Sequence, residues 1–204
     1  MLDRYTLPLI KKPLQSFAKK LHQRNVNADT VTVFGFVVGM LAIPSLAFQQ
    51  YELALACILM NRIGDGIDGE LARLHGPTDA GGFLDIVLDF IFYSGVVFGF
   101  ALADPEHNAL AASALIFSFM GTGASFLAFA IMAERNTIKN MVYPNKGFYY
   151  LGGLTEGTET IVVLALFCLL PEYFAHLAWF FASLCLLTTL TRVVSGYSSI
   201  KDNP

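Results

Sequence analysis

The chain has 204 residues, 55% of them hydrophobic and only 14% charged, with a formal net charge of −3. A soluble domain carries about 25% charged residues, so this composition, with a mean hydropathy of +0.57, points to one membrane-embedded domain. It excludes a disordered polymer, a collagen-like repeat and a nucleic-acid-binding arm, because no basic field faces a polyanion.

Residues 1–24 precede the first apolar stretch and are basic, with Arg4, Lys11, Lys12, Lys19, Lys20 and Arg24 against Asp3. No apolar run with a cleavage site follows the charges directly, so this is not read as a signal peptide. Ile10, Leu14, Phe17, Ala18 and Leu21 recur at helical spacing between the lysines. That pattern predicts a basic amphipathic juxtamembrane helix lying in the headgroup layer; a solvated basic tail is the plainer alternative.

Residues 25–204 are the expected transmembrane domain. A spanning helix needs roughly 20 mostly apolar residues, and six segments meet or approach that: 31–48, 53–74, 81–103, 109–133, 158–170 with a polar lead-in, and 173–194. The expected fold is all-α, a six-transmembrane-helix bundle. With the N-terminus inside, the inner loops and tail hold Arg135, Lys139, Lys146 and Lys201. The outer loops hold Glu52, Asp104, Glu106 and Glu172 and no lysine or arginine. The positive-inside rule then places both termini in the cytoplasm. Cys57, Cys168 and Cys185 are odd in number and lie in apolar runs, so no disulfide framework is expected.

Spans two and three are interrupted by carboxylates. At 100° per residue Asn61, Asp65, Asp68, Gly69 and Ala72 share one stripe, with Arg62 and Arg73 at its border. Asp85 and Asp89 share a face of the next span with Gly81. A short connection containing Gly76 and Pro77 makes the two helices antiparallel neighbours, so the four acids converge near their cytoplasmic ends. One charge at bilayer depth costs about 2.5–3.5 kcal/mol on insertion scales, and four of one sign need a counter-charge. Oxygen-only ligands select Mg²⁺ or Mn²⁺ before Zn²⁺, and two ions bridged by shared carboxylates suit displacement at phosphorus. The plainer alternatives are helix caps, ion pairs with Arg62 and Arg73, and small residues that serve close helix packing.

The run from Asp65 through Gly66, Ile67, Asp68, Gly69, Glu70, Leu71 and Ala72 to Arg73, then seven residues, then Gly81, Asp85 and Asp89, resembles the signature of the CDP-alcohol phosphotransferase family. The segment from Asn27 to Thr32 is similar to a degenerate form of that family's pre-span motif, from which Asn27 and Ala28 depart. The resemblance implies a six-helix integral membrane enzyme, a homodimer, that moves a phospho-alcohol from a CDP-linked lipid donor, CDP-diacylglycerol above all, to the hydroxyl of a polar alcohol acceptor, releasing CMP. It implies metal binding by Asp65, Asp68, Asp85 and Asp89, with Asp89 also the general base. Asp29, Thr32, Gly69, Arg73 and Thr78 would contact the nucleotide, with Ala72 and Gly81 leaving it space between helices.

On the acceptor side, Arg135, Lys139, Lys146 and Arg192 are candidates for a phosphate pocket or are ordinary cytoplasmic flanks. Glu156 and Glu159 open span five, where they either recognise an acceptor or complement the helix N-terminus. His22, His75, His107 and His176 show no ligand spacing and are read as bystanders. Two rivals stand beside the enzyme: a cation transporter, which needs acids near the bilayer midplane, and an idle membrane subunit that keeps the same aspartates.

Overall fold

The computed structural model describes residues 3–135 and 153–201, the side chains of 3–10 and 12 left aside. Among these residues all regular structure is helical. Helix α1 (Asp3–Gln23) is followed by a turn in which Asn25 takes a left-handed φ of 54°. Helices α2 (Ala28–Met40) and α3 (Ala42–Ala47) form one apolar rod with a break at Leu41. The break has a covalent cause: Pro44 has no N–H to give to the Met40 carbonyl.

A tight turn at 48–50 reverses the chain. Gln49, at φ 57°, ties it down by donating to the Ala103 carbonyl at 2.9 Å. Helix α4 (Tyr51–His75) ends at Gly76, whose φ of 94° suits a residue without Cβ. Thr78 then caps α5 (Asp79–Ala103) by accepting from the Gly81 N–H at 3.0 Å. Asp104 caps α6 (Pro105–Arg135) in the same way, accepting from the His107 N–H at 3.2 Å. The His107 ring and that N–H hold the exposed Asp104 carboxyl below its ordinary range. Helices α7 (Gly157–Leu169) and α8 (Phe174–Lys201) complete the bundle.

Four stretches are long and apolar enough to cross a membrane: Ala28–Ala47, Asp79–Ala103, Pro105–Arg135 and Pro171–Lys201. Two of the six expected spans differ. Helix α4 has the length, at 25 residues, but carries Arg62, Asp65, Asp68, Glu70 and Arg73. Helix α7 has 13 residues, a rise of about 20 Å against a hydrocarbon layer of about 30 Å.

Lipid tails are as apolar as leucine, so close packing has to hold helices together in a bilayer. Helices α2 and α4 cross where a Cβ on Gly64 would stand 3.3 Å from Gly35 Cα. The apolar core collects towards the other end, where Phe100 stacks on Phe174 at 4.6 Å and meets Phe167 edge-on at 5.6 Å. Phe34, Phe83, Leu110, Phe117, Met120 and Phe180 stay exposed on the outside, as a lipid-facing surface requires. The end of the bundle near the α4–α5 connection is left for polar groups.

Candidate active site

That end holds a pocket between α2, α4 and α5, walled by Thr32 and Phe36, by Asn61, Arg62, Asp65 and Asp68, and by Asp85, Leu88 and Asp89. The stripe expected on α4 and the face expected on α5 meet here. Asp65, Asp68 and Asp85 each bring one carboxylate oxygen within 4.8 Å of the others. Asp68 is 6% exposed, and its Oδ2 is buried without a hydrogen-bond partner. A charged acceptor left that way costs more than about 1–3 kcal/mol. Three hard oxygen donors, one of them from the carboxylate that carries the unsatisfied oxygen, fit a divalent cation.

Asp89 lines the same pocket but stands outside this trio. Its Oδ1 accepts from Arg62 Nη2 at 2.6 Å, and its Oδ2 from the Tyr93 hydroxyl at 2.9 Å. Arg62 also lies 3.6 Å from Asp65 Oδ2. Expected at the border of its stripe, Arg62 is instead directed into the pocket, because its long stem carries the guanidinium well away from the direction of its Cα. Asn61 fixes it from below, accepting from Nε and Nη2 at 2.8 and 2.6 Å.

The residues expected to meet a nucleotide flank the pocket towards the α4–α5 connection. A Cβ on Gly81 would fall 3.1 Å from Asp29 Oδ1 and from Thr78 Oγ1, so α2 meets the start of α5 here. Thr32 donates to the Ala28 carbonyl at 3.1 Å. At Gly69 a Cβ would face only the Arg73 guanidinium, at 3.7 Å, which leaves the surface above it open. Ala72 is half-buried on the next turn. Arg73 is mostly exposed and pairs with the buried Glu70 at 2.7 Å, which holds its guanidinium beside the open surface at Gly69.

The acceptor candidates divide. Lys139 and Lys146 lie outside the described residues. Arg135 ends α6 in an exposed position. Arg192 is no flank: it is 7% exposed and donates to the Thr122 carbonyl at 3.2 Å, with Phe126 beneath its guanidinium. Glu156 and Glu159 form a reciprocal capping box at the start of α7, the helix-end role of the two that were open. His22 and His75, 53 residues apart in sequence, meet with Nδ1 and Nε2 at 2.9 Å and tie α1 to the end of α4.

The profile of the CDP-alcohol phosphatidyltransferase family matches residues 25–194. The chain belongs to that family. As a CDP-alcohol phosphatidyltransferase it is a transferase of substituted phosphate groups. It is 55% identical over 202 residues to the inner membrane protein YnjF of Escherichia coli, covering 99% of this chain and 98% of the relative. This likeness and the four apolar helices support an integral inner-membrane protein. It is 32% identical over 96 residues to the archaetidylinositol phosphate synthase of Pyrococcus horikoshii, covering 47% and 51% of the two chains. The fold is that of the phosphatidylinositol phosphate synthase of Mycobacterium tuberculosis. In its crystal structure with CDP-DAG bound, the TM-score is 0.68 at 18% identity over 90% of this chain and 93% of the other. A second crystal structure of that protein, in complex with manganese and citrate, gives a TM-score of 0.68 at 19% identity, covering 90% and 88% of the two chains.

Two residues at and beside this pocket, Tyr93 and Glu70, were not singled out from sequence. Tyr93 continues the four-residue series of Asp85 and Asp89, a signal that was present. Glu70 occupies a free position of the motif, and the anchoring of Asn61 to the Gly35 carbonyl, at 3.1 Å, depends on a helix crossing.

Proposed function

We propose that the chain transfers a phosphatidyl group from CDP-diacylglycerol to the hydroxyl of a polar alcohol. The acceptor oxygen bonds to the lipid-bearing phosphorus, the bond from that phosphorus to the CMP oxygen breaks, and the acceptor proton passes to Asp89. The observation that carries this reading is the orphaned Asp68 Oδ2 among Asp65 and Asp85, inside the family's own motif. Those three residues would hold Mg²⁺ or Mn²⁺. Such an ion offsets the diphosphate charge and stabilises the departing CMP. Arg73 offers a forked donor to a phosphate once it leaves Glu70. Asp29, Thr32, Gly69, Ala72, Thr78 and Gly81 surround the open approach to the nucleotide.

The proposed setting is a homodimer in the inner membrane, each chain with six crossings and with α1 in the headgroup layer. Helix α4 supports a crossing because Asn61, Arg62, Asp65 and Asp68 face the pocket rather than lipid. The turn at Asn25 supports a boundary between residues 1–24 and 25–204. Both termini and the site would face the cytoplasm, where CDP-linked donors are made available to them.

Two relatives are named as synthases of a lipid-linked inositol phosphate, the archaetidylinositol phosphate synthase of Pyrococcus horikoshii and a phosphatidylinositol phosphate synthase of Streptomyces avermitilis, the latter 30% identical over 132 residues covering 62% and 54% of the chains. On the strength of those names we rank a phosphorylated cyclitol first among the acceptors to test, ahead of glycerol phosphate and serine. The test is CMP release by the purified chain from CDP-diacylglycerol with each alcohol in turn. Release with one alcohol and Mg²⁺ supports the reading; no release with any of them, in the presence of bound donor, sinks it.

A further inference from the structure

We propose that His22 and His75 form a metal site of their own, a two-imidazole clip for a transition-metal ion such as Zn²⁺, Ni²⁺ or Cu²⁺. It lies apart from the carboxylate pocket, since two helical turns separate His75 from Asp68 on α4. The rings come from the last turns of different helices, α1 and α4. His22 Nδ1 and His75 Nε2 stand 2.9 Å apart. Two Zn–N bonds at a tetrahedral angle hold their nitrogens about 3.3 Å apart, so an ion needs the pair to open only slightly. The ring centroids are 4.4 Å apart and the planes are tilted by 57°. Rings meeting head-on across the same gap would lie farther apart, so the nitrogens converge from one side. Both residues are exposed, which lets water complete the coordination.

The orientation of His75 supports this independently. Its Nδ1 lies 3.2 Å from the Leu71 carbonyl, an oxygen that can only accept. In the neutral ring the proton therefore sits on Nδ1, and the lone pair on Nε2 is directed to His22. A histidine that ligates metal almost always gives its other N–H to a carbonyl or a carboxylate, and His75 has that bond already made. His22 needs only to carry its proton on Nε2 for Nδ1 to offer the second lone pair. The field is favourable too. A helix C-terminus carries about −0.5 of a charge, and the pair sits where α1 ends at Gln23 and α4 at His75. Arg73, on the same last turn of α4, is already paired with Glu70 at 2.7 Å. Imidazole nitrogen suits Zn²⁺, Ni²⁺ and Cu²⁺, whereas Mg²⁺ takes oxygen, so the two sites of this chain select different ions. A bound ion would pin α1 to the helix that carries the metal motif, along a contact where Ala18 is buried and Leu14 packs over Gly66.

The test is Cu²⁺ and Zn²⁺ binding to the untagged full-length chain in lipid nanodiscs, with Mg²⁺ in excess to fill the oxygen site. One Cu²⁺ per chain is expected, with an electron paramagnetic resonance spectrum split by two imidazole nitrogens. Zn²⁺ should compete for the same place and raise the melting temperature, as any ligand of the folded state does. His22→Gln and His75→Gln should each lose the ion, while His107→Gln and Asp85→Ala keep it. An unaltered chain that binds no copper, a spectrum without two nitrogens, or retention of the ion in either folded glutamine variant would overturn the proposal and leave the pair as a hydrogen-bonded contact. Loss in Asp85→Ala with both histidine variants unaffected would assign the ion to the carboxylates and end the proposal equally. Should a histidine variant not fold, the nitrogen count on the unaltered chain decides. None of these outcomes depends on CMP release, so this site and the proposed reaction stand or fall separately.

Discussion

Asp89 can be tested with a change of one atom. Asparagine keeps its shape and an acceptor oxygen but cannot take a proton from an attacking hydroxyl, and a positioned base contributes about 10²–10⁴-fold. Asp89→Asn is therefore expected to retain CDP binding while turnover falls by about two to four orders of magnitude, measured as CMP release at saturating Mg²⁺. Turnover near that of the unaltered chain would assign the base elsewhere. Asp65 and Asp85 behave differently, because each supplies an oxygen to the converging trio. Asp65→Ala and Asp85→Ala should lose metal-dependent nucleotide binding as well as turnover, and normal CDP affinity in either would refute its ligand role. The convergence of these acids was legible in the sequence, since it follows from 3.6 residues per turn and one short connection. The division among them was not. Arg62 sits three residues before Asp65, displaced about 60° around the helix, and its reach across to Asp89 depends on rotamers that no periodicity encodes.

Helix ends were the next most readable feature, because Gly76, Pro77 and Thr78 act locally. The Gly81 N–H has Thr78 Oγ1 as its partner, so Thr78→Ala should lower stability by about 1 kcal/mol, within the range for a lost N-cap. Thr78→Ser keeps the acceptor and should restore it, with thermal unfolding in detergent as the readout. An unchanged melting temperature in Thr78→Ala, with weakened CDP binding, would make Thr78 a nucleotide contact rather than a cap. The interior of an element was harder to read. The break at Leu41 comes from Pro44, which lies within an otherwise continuous apolar run. The meeting of His22 and His75 could not be read at all, because it depends on how α1 lies across α4, where a Cβ on Gly66 would fall 2.8 Å from Leu14 Cδ1. Local chemistry sets where helices stop, whereas their crossings arise from surfaces that only the folded bundle brings together.

At the scale of the molecule, charge is distributed between two ends. Short connections at 48–50, 76–78 and 104 reverse the chain, so the start of α2, the α4–α5 connection, the end of α6 and the end of α8 share one end. That end carries the carboxylate pocket, Arg135 and Lys201; the other carries Glu52, Asp104, Glu106 and Glu172. Lysine and arginine are retained on the cytoplasmic side of a bilayer, so the pocket should open there. Cysteine labelling can decide this with little background, because Cys57, Cys168 and Cys185 are all buried, whereas Lys201 is exposed and Glu52 lies in the first turn of α4. An impermeant maleimide added to intact cells should label Glu52→Cys and leave Lys201→Cys untouched until the membrane is opened. Labelling of Lys201→Cys in intact cells would invert the bundle. The carboxylates would then face away from the compartment that supplies a CDP-linked donor, and the proposed reaction would lose its substrate.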